Sequence, residues 1–231
     1  MPLTNKEDFL DGQVILIDKP LEWSSFQAVN ALKWAIRKKF SLKKFKIGHA
    51  GTLDPLATGL LVICTGKFTK KIPEYQGWPK EYTGSLRLGA TTPSYDLETD
   101  VDQHFPWEHI TSDALEKAAH GFLGEIQQYP PMFSAIKKDG KRLYELARDG
   151  KTVELTPRQV GIFSFEITRI DLPRVDFKVI CSKGTYIRSL AHDYGRALGS
   201  GAHLTSLRRT KIGDFNVNNA STPTEFKEKL G

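Results

Sequence analysis

The segment KIGHAGTLDPLATGLL, residues 46–61, places a restricted turn directly before the longest apolar run of the chain. That run, GLLVICTG at 59–66, predicts a strand that is buried in a sheet. The turn surrounds one carboxylate, Asp54, with glycine, alanine, threonine and proline. A loop that only joins two elements needs neither His49 nor such a restricted backbone. Asp54 is therefore either a turn-forming residue or a reactive group.

Composition limits the class of protein. The chain has 231 residues, of which 39% are hydrophobic and 26% charged, as is ordinary for a globular protein. No apolar run approaches the length of a membrane span, and the N-terminus lacks the pattern of a secretion signal. Cys64 and Cys181 each lie in an apolar, strand-like run, which favours buried, reduced thiols. We therefore expect a cytoplasmic protein with no membrane partner.

The distribution of charge indicates an anionic partner. Lysine and arginine number 33 against 27 acidic residues, a net charge of +6. The segment 33–46 carries seven basic residues and no acidic one. Any one such run is typical of a solvated helix face. Smaller basic groups recur, however, and together they favour phosphate contacts. They include Lys67, Lys70 and Lys71, the segment 137–142, and the segment 208–211.

The order of the predicted elements indicates the fold class. A strand at 13–20 precedes a helix capped by Ser24 or Ser25, with Phe26, Val29, Leu32 and Ile36 on its apolar face. Further strands are predicted at 59–66 and 80–89, with helices after 112 and after 184. A turn is predicted at Asp139-Gly140, and a short helix ending at Gly150. Because strands and helices do not alternate regularly, the sequence predicts an α+β fold with a mixed, largely antiparallel sheet flanked by helices.

Several common chemistries do not match the motifs. The glycines at 48, 51 and 59 are not followed by the Gly-Lys-Ser/Thr of a phosphate-binding loop. The six histidines include no pair at helical ligand spacing and have no cysteine neighbours, so no metal site is predicted. No Gly-x-Ser-x-Gly nucleophile motif is present. A nucleophilic or basic carboxylate that works without a cofactor remains.

The pattern GHAGTLDPLATGLL resembles the signature of the TruB family, the tRNA pseudouridine-55 synthases. Further matches follow in the family's order, and the resemblance covers about residues 12–215. They are LIDKP (16–20), KEYTGSLRLGATTPSYDLETD (80–100), PPMFSAIKKDGKRLYELARDG (130–150), CSKGTYIRSLAHDYG (181–195) and GAHLTSLRRTKIGDF (201–215).

The resemblance implies the pseudouridine-synthase fold and a cofactor-free enzyme that converts the T-loop uridine of tRNA to pseudouridine. The T arm of tRNA would be its partner, and no obligate protein partner is implied. Many members carry a further RNA-binding domain of the PUA type, for which this sequence leaves little room. We therefore expect an N-terminal extension (1–12), a catalytic domain (13–215) and a short C-terminal tail (216–231).

The resemblance also assigns the catalytic roles. Asp54 would attack the ribose C1′ or help to form a glycal-type intermediate, and the sequence does not choose between these routes. Burial raises the pKa of a carboxyl group, so an ionised Asp54 needs a fixed cation, for which Arg188 is the matched residue. Tyr82 would stack on the uracil and could help to remove the C5 proton. Without the resemblance, Tyr82 is typical of a core aromatic and Arg188 of a solvated helix residue.

Other matched positions would hold the RNA. His49 would fill the space that the flipped uridine leaves, and Tyr186 and Leu207 would contact the nucleotide. Lys19 and Lys70 would hold phosphates or the pocket edge. Each residue type is more often structural or solvated when it stands alone. Two rival hypotheses stay open: an RNA-binding or tRNA-folding module, and a synthase of the same fold that acts on another RNA.

Overall fold

A computed structural model describes residues 5–134, 136–138, 141–149 and 153–231 of the chain. Its α-helices are α1 (Lys6–Asp11), α2 (Ser25–Lys39), α3 (Ile72–Gly77), α4 (Ser112–His120), α5 (Leu143–Arg148), α6 (Ile187–Ala197) and α7 (Pro223–Leu230). Its strands are β1 (Val14–Lys19), β2 (Ile47–His49), β3 (Ala57–Thr65), β4 (Lys80–Leu88), β5 (Ala90–Thr91), β6 (Gln103–His104), β7 (Gly124–Gln128), β8 (Lys137–Lys138), β9 (Lys141–Arg142), β10 (Arg158–Asp171), β11 (Arg174–Cys181), β12 (Ala202–Ile212) and β13 (Phe215–Asn216). Short 3₁₀ helices lie at Gly66–Lys71 and Val217–Asn219.

The chain forms two compact units, one comprising residues up to 82 with 208–231, the other residues 83–207. Strands β4 and β12 each pass from one unit into the other. None of the helices within the described ranges is long and apolar enough to cross a membrane. The predicted turn at Asp139-Gly140 and the predicted helix end at Gly150 lie outside the described residues.

In the first unit the sheet is built around β3. Strand β1 pairs with β3 in antiparallel register from Val14↔Cys64 to Lys19↔Gly59, and β2 pairs antiparallel with the last three residues of β3. Residues 59–65 of β3 are all buried, which confirms the predicted core strand. The apolar core on one side of this sheet combines side chains from α1, α2, β1 and α7, among them Phe9, Leu32, Ile17 and Phe226.

Helix α2 follows from its local sequence. Ser24 accepts a hydrogen bond from the Gln27 amide, and the Gln27 side chain accepts one from the Ser24 amide, which together form a capping box. Val29, Leu32 and Ile36 are buried as predicted. The prediction that Phe26 lies on the same face is wrong, since 71% of Phe26 is exposed. At 3.6 residues per turn, it lies about 100° around the helix from the centre of the buried stripe.

Residues 216–231, predicted to be a short C-terminal tail, contain helix α7. Helix α7 has its own capping box between Thr222 and Glu225, with Pro223 in its first turn. Phe226 and Leu230 bury their side chains in the core that α2 also lines. The division into an N-terminal extension, a catalytic domain and a tail stays a prediction.

The second unit is also largely antiparallel. Its sheet follows the order β4, β11, β10, β7, and β10 pairs antiparallel with both β11 and β7. The ring of Phe165 on β10 packs against Phe177 on β11 and against Tyr194 on α6, and all three residues are buried. The pairings β1–β3, β2–β3, β7–β10 and β10–β11 are antiparallel, and an isolated parallel bridge joins Ile17 and Ser221. The predicted fold class, α+β with a mixed, largely antiparallel sheet flanked by helices, is confirmed.

Candidate active site

Asp54 lies half-buried in the turn between β2 and β3. The turn is closed by backbone bonds at both ends: the Ala50 amide donates to the Val62 carbonyl at 2.9 Å, and the Ala57 amide donates to the Asp54 carbonyl at 3.1 Å. The carboxylate therefore projects from a backbone whose direction is fixed before any substrate binds.

The first residue of α2 holds the turn from one side. The Ser25 hydroxyl accepts a hydrogen bond from the Leu53 amide at 2.8 Å and donates one to the Leu53 carbonyl at 3.0 Å. Ser25 is 3% exposed, so both bonds are shielded from water. One side chain thus satisfies both backbone groups of the residue before Asp54, which restrains the peptide that leads into it.

Arg209, on β12, holds the turn from within the core. It is 1% exposed, and its guanidinium donates to the carbonyls of Leu60 (2.8 Å), Gly51 (2.9 Å) and Thr52 (3.3 Å). A side chain at Gly59 would collide with the Arg209 backbone, and Gly51 has a φ of +131°. These glycines let the buried arginine reach the turn backbone. We call Ser25 and Arg209 the turn clamps.

Lys19, at the end of β1, is fully buried beside the same turn. Its ammonium donates to the carbonyls of Trp23 (2.6 Å), Pro20 (2.9 Å) and Pro55 (3.4 Å). The pKa of Lys19 is lowered from 10.5 to about 8, chiefly by burial and also by the positive charge of Arg209, while the negative charges of Asp54 and Asp18 oppose the shift. Lys19 thus provides a buried cation close to Asp54. A phosphate contact, which the sequence suggested for it, stays a prediction.

The lowered pKa of Lys19 predicts a pH-dependent stability. Between about pH 8 and 10.5 the folded protein releases a proton that the unfolded chain keeps, so stability rises with pH across this window. Below pH 8 the buried ammonium is charged in both states, and its burial costs stability. We expect the free energy of unfolding of the parent protein, relative to Lys19→Met, to increase from pH 8 to 10.5 in chemical denaturation. A constant difference would contradict the shift.

Three other predicted site residues lie in the first unit. His49 ends β2 and is half-buried; burial lowers its pKa, as does the nearby charge of Arg209, while a backbone bond with Gly51 raises it. A neutral imidazole is suited to stacking against a base. Tyr82 is buried on β4 with 8% of its surface exposed, and Lys70 is exposed on the 3₁₀ helix after β3.

The remaining predicted residues lie in the second unit. Arg188, in the first turn of α6, is 4% exposed and donates to the carbonyls of Phe133 (2.8 Å) and Ser94 (3.1 Å). Its Nε lies 3.7 Å from the carboxylate of Asp96, which makes a buried ion pair. Tyr186 precedes α6, and Gln128 bonds both its backbone amide (2.8 Å) and its carbonyl (3.0 Å). Leu207 is half-buried on β12.

Sequence reasoning missed the residues that position these groups. Arg209 appeared there only within a basic cluster, Ser25 only as an alternative helix cap, and Asp96 only within the matched segment 80–100. No local signal marks Arg209, whose neighbours in the sequence are Arg208 and Thr210. The contacts of all three residues bridge segments that are far apart in sequence, so no local pattern predicts them.

The arrangement favours carboxylate chemistry. Among the residues that the structure describes, no group of three or more histidine, cysteine, aspartate or glutamate side chains could hold a metal ion. The first unit instead presents one fixed carboxylate with a buried cation near it. Such a group can act as a nucleophile or a base toward a sugar. The fold and this site together define a candidate enzyme whose reacting group is a carboxylate.

Two family models match residues 37–230, most of the chain. Residues 37–187 match the N-terminal domain of the TruB family pseudouridylate synthases, and residues 188–230 match the C-terminal domain of tRNA pseudouridylate synthase B. The chain belongs to the TruB family of pseudouridylate synthases, which are isomerases. The resemblance seen in the sequence motifs is thereby confirmed.

Curated relatives and solved structures agree with this family. The chain is 66% identical to tRNA pseudouridine synthase B of Flavobacterium johnsoniae, across 97% of this chain and 98% of the relative. It is 52% identical to the protein of that name from Phocaeicola vulgatus, across 96% and 95%. A solved Cbf5-Nop10-Gar1 complex contains a chain with 31% identity and a TM-score of 0.66, which matches 90% of this chain. The match covers 50% of the length of that chain of the complex.

Proposed function

We propose that this chain isomerises the T-loop uridine of tRNA, position 55 by tRNA convention, to pseudouridine without a cofactor. The observation that carries the proposal is the Asp54 turn, where Ser25 and Arg209 fix the backbone around one carboxylate. The name shared by the relatives, tRNA pseudouridine synthase B, and their matched lengths support tRNA as the substrate. With such a substrate, we also propose a cytoplasmic location.

The reaction conserves atoms and electrons. The C1′–N1 bond of the uridine breaks, the uracil rotates within the site, and a C1′–C5 bond forms. The proton on C5 then leaves, and N1 carries a proton in the product, so no oxidant or phosphate is consumed. Asp54 either attacks C1′ to form a covalent sugar ester or promotes a glycal-type intermediate. The proposal includes both routes.

Other residues are proposed to hold the flipped nucleotide. Tyr82 stacks on the uracil and assists removal of the C5 proton, while Tyr186 and Leu207 contact the nucleotide. His49 occupies the space that the base leaves, which offsets part of the cost of unstacking, about a few kcal/mol. Arg188 supplies a fixed cation for the reaction, and Lys19 and Lys70 contribute positive charge toward the RNA.

Release of tritium from T-arm RNA tests the proposed function. RNA made with uridine tritiated at C5 loses its label to water only where the C5 proton leaves. We expect release from the T arm and none from a matched T arm with cytidine at position 55. Binding without release would favour the RNA-binding or tRNA-folding module. Release from other cellular RNA but not from the T arm would favour a synthase with another target.

Arg188→Lys is expected to lower turnover more than RNA affinity. Arginine donates through a planar fork, and the observed bonds to Phe133 and Ser94 use both of its terminal nitrogens. A lysine ammonium keeps the charge but cannot reproduce that fork. We expect turnover of saturating T-arm RNA to fall at least about 10-fold, with the dissociation constant changed less than about 2-fold.

Arg196→Lys, an exposed residue near the end of the same helix, is the matched control and should leave turnover unchanged. Equal losses of turnover and affinity in Arg188→Lys would contradict a role in the reaction itself.

A further inference from the structure

Helix α2 exposes a tryptophan that the fold does not use. Trp34 has 72% of its surface exposed, whereas Leu32 and Ile36 on the same helix are fully buried. At 3.6 residues per turn, Trp34 points about 180° away from the buried stripe. A large aromatic ring in water contributes little to folding, and exposed aromatics next to basic residues are typical of surfaces that stack nucleic-acid bases.

Trp34 borders a groove of about 560 Å³ between α2 and α7. Ala31, Ala35 and Leu230 also line the groove and give it an apolar region next to the indole. The volume falls in the range of pockets that hold small molecules or single nucleotides, about 300–1,000 Å³. The groove therefore offers a planar stacking surface with room beside it.

Lysines complete the groove. Lys38, Lys39 and Lys227 are among its lining residues, and no acidic side chain is. All three lysines are exposed. Two of them belong to the basic segment 33–46, which continues the positive charge along α2. An apolar stacking surface next to ammonium groups is complementary to one nucleotide, whose base is flat and whose phosphates are anionic.

We propose that the α2–α7 groove binds an unpaired nucleotide of the substrate RNA, distinct from the reacting uridine. Its base stacks on Trp34, and the neighbouring phosphates contact Lys38, Lys39 and Lys227. The inference rests on the proposed function, since the ligand is the same RNA. Helix α2 begins at Ser25, which holds the Asp54 turn, and Trp34 lies nine residues further along, about 14 Å of helix. An RNA of the size of tRNA is long enough to span this distance and to pass from one face of α2 to the other.

Binding of a full-length tRNA transcript tests the groove. Asp54→Asn serves as the background so that the RNA stays unmodified, and fluorescence anisotropy of labelled RNA gives the dissociation constant. Adding Trp34→Ala should weaken binding about 5- to 20-fold, while Trp34→Phe should stay within about 3-fold because phenylalanine also stacks. Phe163→Ala removes an exposed aromatic of the second unit (59% exposed) and should have no effect.

Two further measurements separate stacking from charge. Bound RNA should quench a part of the tryptophan emission of the parent protein that is missing in Trp34→Phe. Replacing Lys38 and Lys39 together with glutamine should weaken binding and reduce the slope of log affinity against log salt by about 1.5 to 2. Lys117→Gln, an exposed lysine of α4, is the control for charge and should leave the slope unchanged.

Unchanged affinity in Trp34→Ala, with no quenching assigned to Trp34, would overturn the proposal. So would a dimer of the parent protein that Trp34→Ala dissociates without changing RNA affinity, because the groove would then join two copies. In the active protein, Trp34→Ala should raise KM for tritium release and leave kcat unchanged. If the parent protein releases no tritium, the proposed function is wrong. The binding comparison still tests whether the groove binds RNA.

Discussion

Replacing Asp54 with asparagine is expected to reduce tritium release from T-arm RNA by at least about 1,000-fold. The amide has nearly the same shape but is a poor nucleophile and a poor base, so it neither attacks C1′ nor promotes a glycal. The backbone of the turn should not move, because Ser25 and Arg209 hold neighbouring main-chain groups rather than the Asp54 side chain. Binding should therefore stay within a few-fold of the parent protein.

Asp18→Asn provides a matched control for this experiment. Asp18 is another carboxylate of the first unit, and it forms a two-pronged ion pair with Arg208, with contacts of 2.7 and 2.9 Å. Losing that partly exposed pair should change turnover little. If Asp54→Asn keeps its turnover, Asp54 is not part of the mechanism and the proposed chemistry is wrong. This conclusion holds whatever the RNA affinity of the variant is.

Replacing Arg209 with alanine is expected to cost at least about 3 kcal/mol of folding free energy. The change removes donors from three carbonyls, and a buried acceptor left without a partner costs about 1–3 kcal/mol. For a chain of this size, a loss of 3 kcal/mol corresponds to a decrease in Tm of about 6–12 °C. Chemical and thermal denaturation measure both quantities.

Arg209→Ala should also lower turnover at temperatures where the variant is still folded. Loosening the turn lets the carboxylate move, and a displacement of about 1 Å can cost about 100-fold in rate. Arg209→Lys keeps the positive charge but cannot donate to all three carbonyls. It should therefore lose most of the turnover that Arg209→Ala loses. Arg208→Ala, next in the chain and partly exposed, is the control and should cost no more than about 1 kcal/mol. Similar small losses in both variants would contradict the clamp.

The elements that were predicted correctly depend on local patterns. The apolar run at 59–66 predicts β3 because a strand that is buried on both faces is apolar throughout. Ser24 and Gln27 define the start of α2 within four residues. Helix α7 carries an equally local signal, the Thr222–Glu225 capping box with Pro223, yet the sequence interpretation treated it as a tail.

Only a part of the candidate site could be predicted from the sequence. The motif with Asp54 indicates where the chemistry lies, but the groups that hold it come from elsewhere in the chain. Ser25 lies 28 positions from Leu53, and Arg209 lies 149 positions from Leu60. Such contacts depend on strand order and on close packing at Gly59, neither of which residue spacing encodes. The burial of Lys19 was unexpected for the same reason.

The bonds described for the turn clamps all go to main-chain atoms. The path of the loop backbone therefore does not depend on which side chains the loop carries. Thr52 and Pro55 have exposed side chains, while their carbonyls accept bonds from Arg209 and Lys19. Substitutions at such positions can alter what the loop presents to an incoming nucleic acid without disturbing its path. Substrate preference could thus diverge among relatives while the reacting group keeps its place.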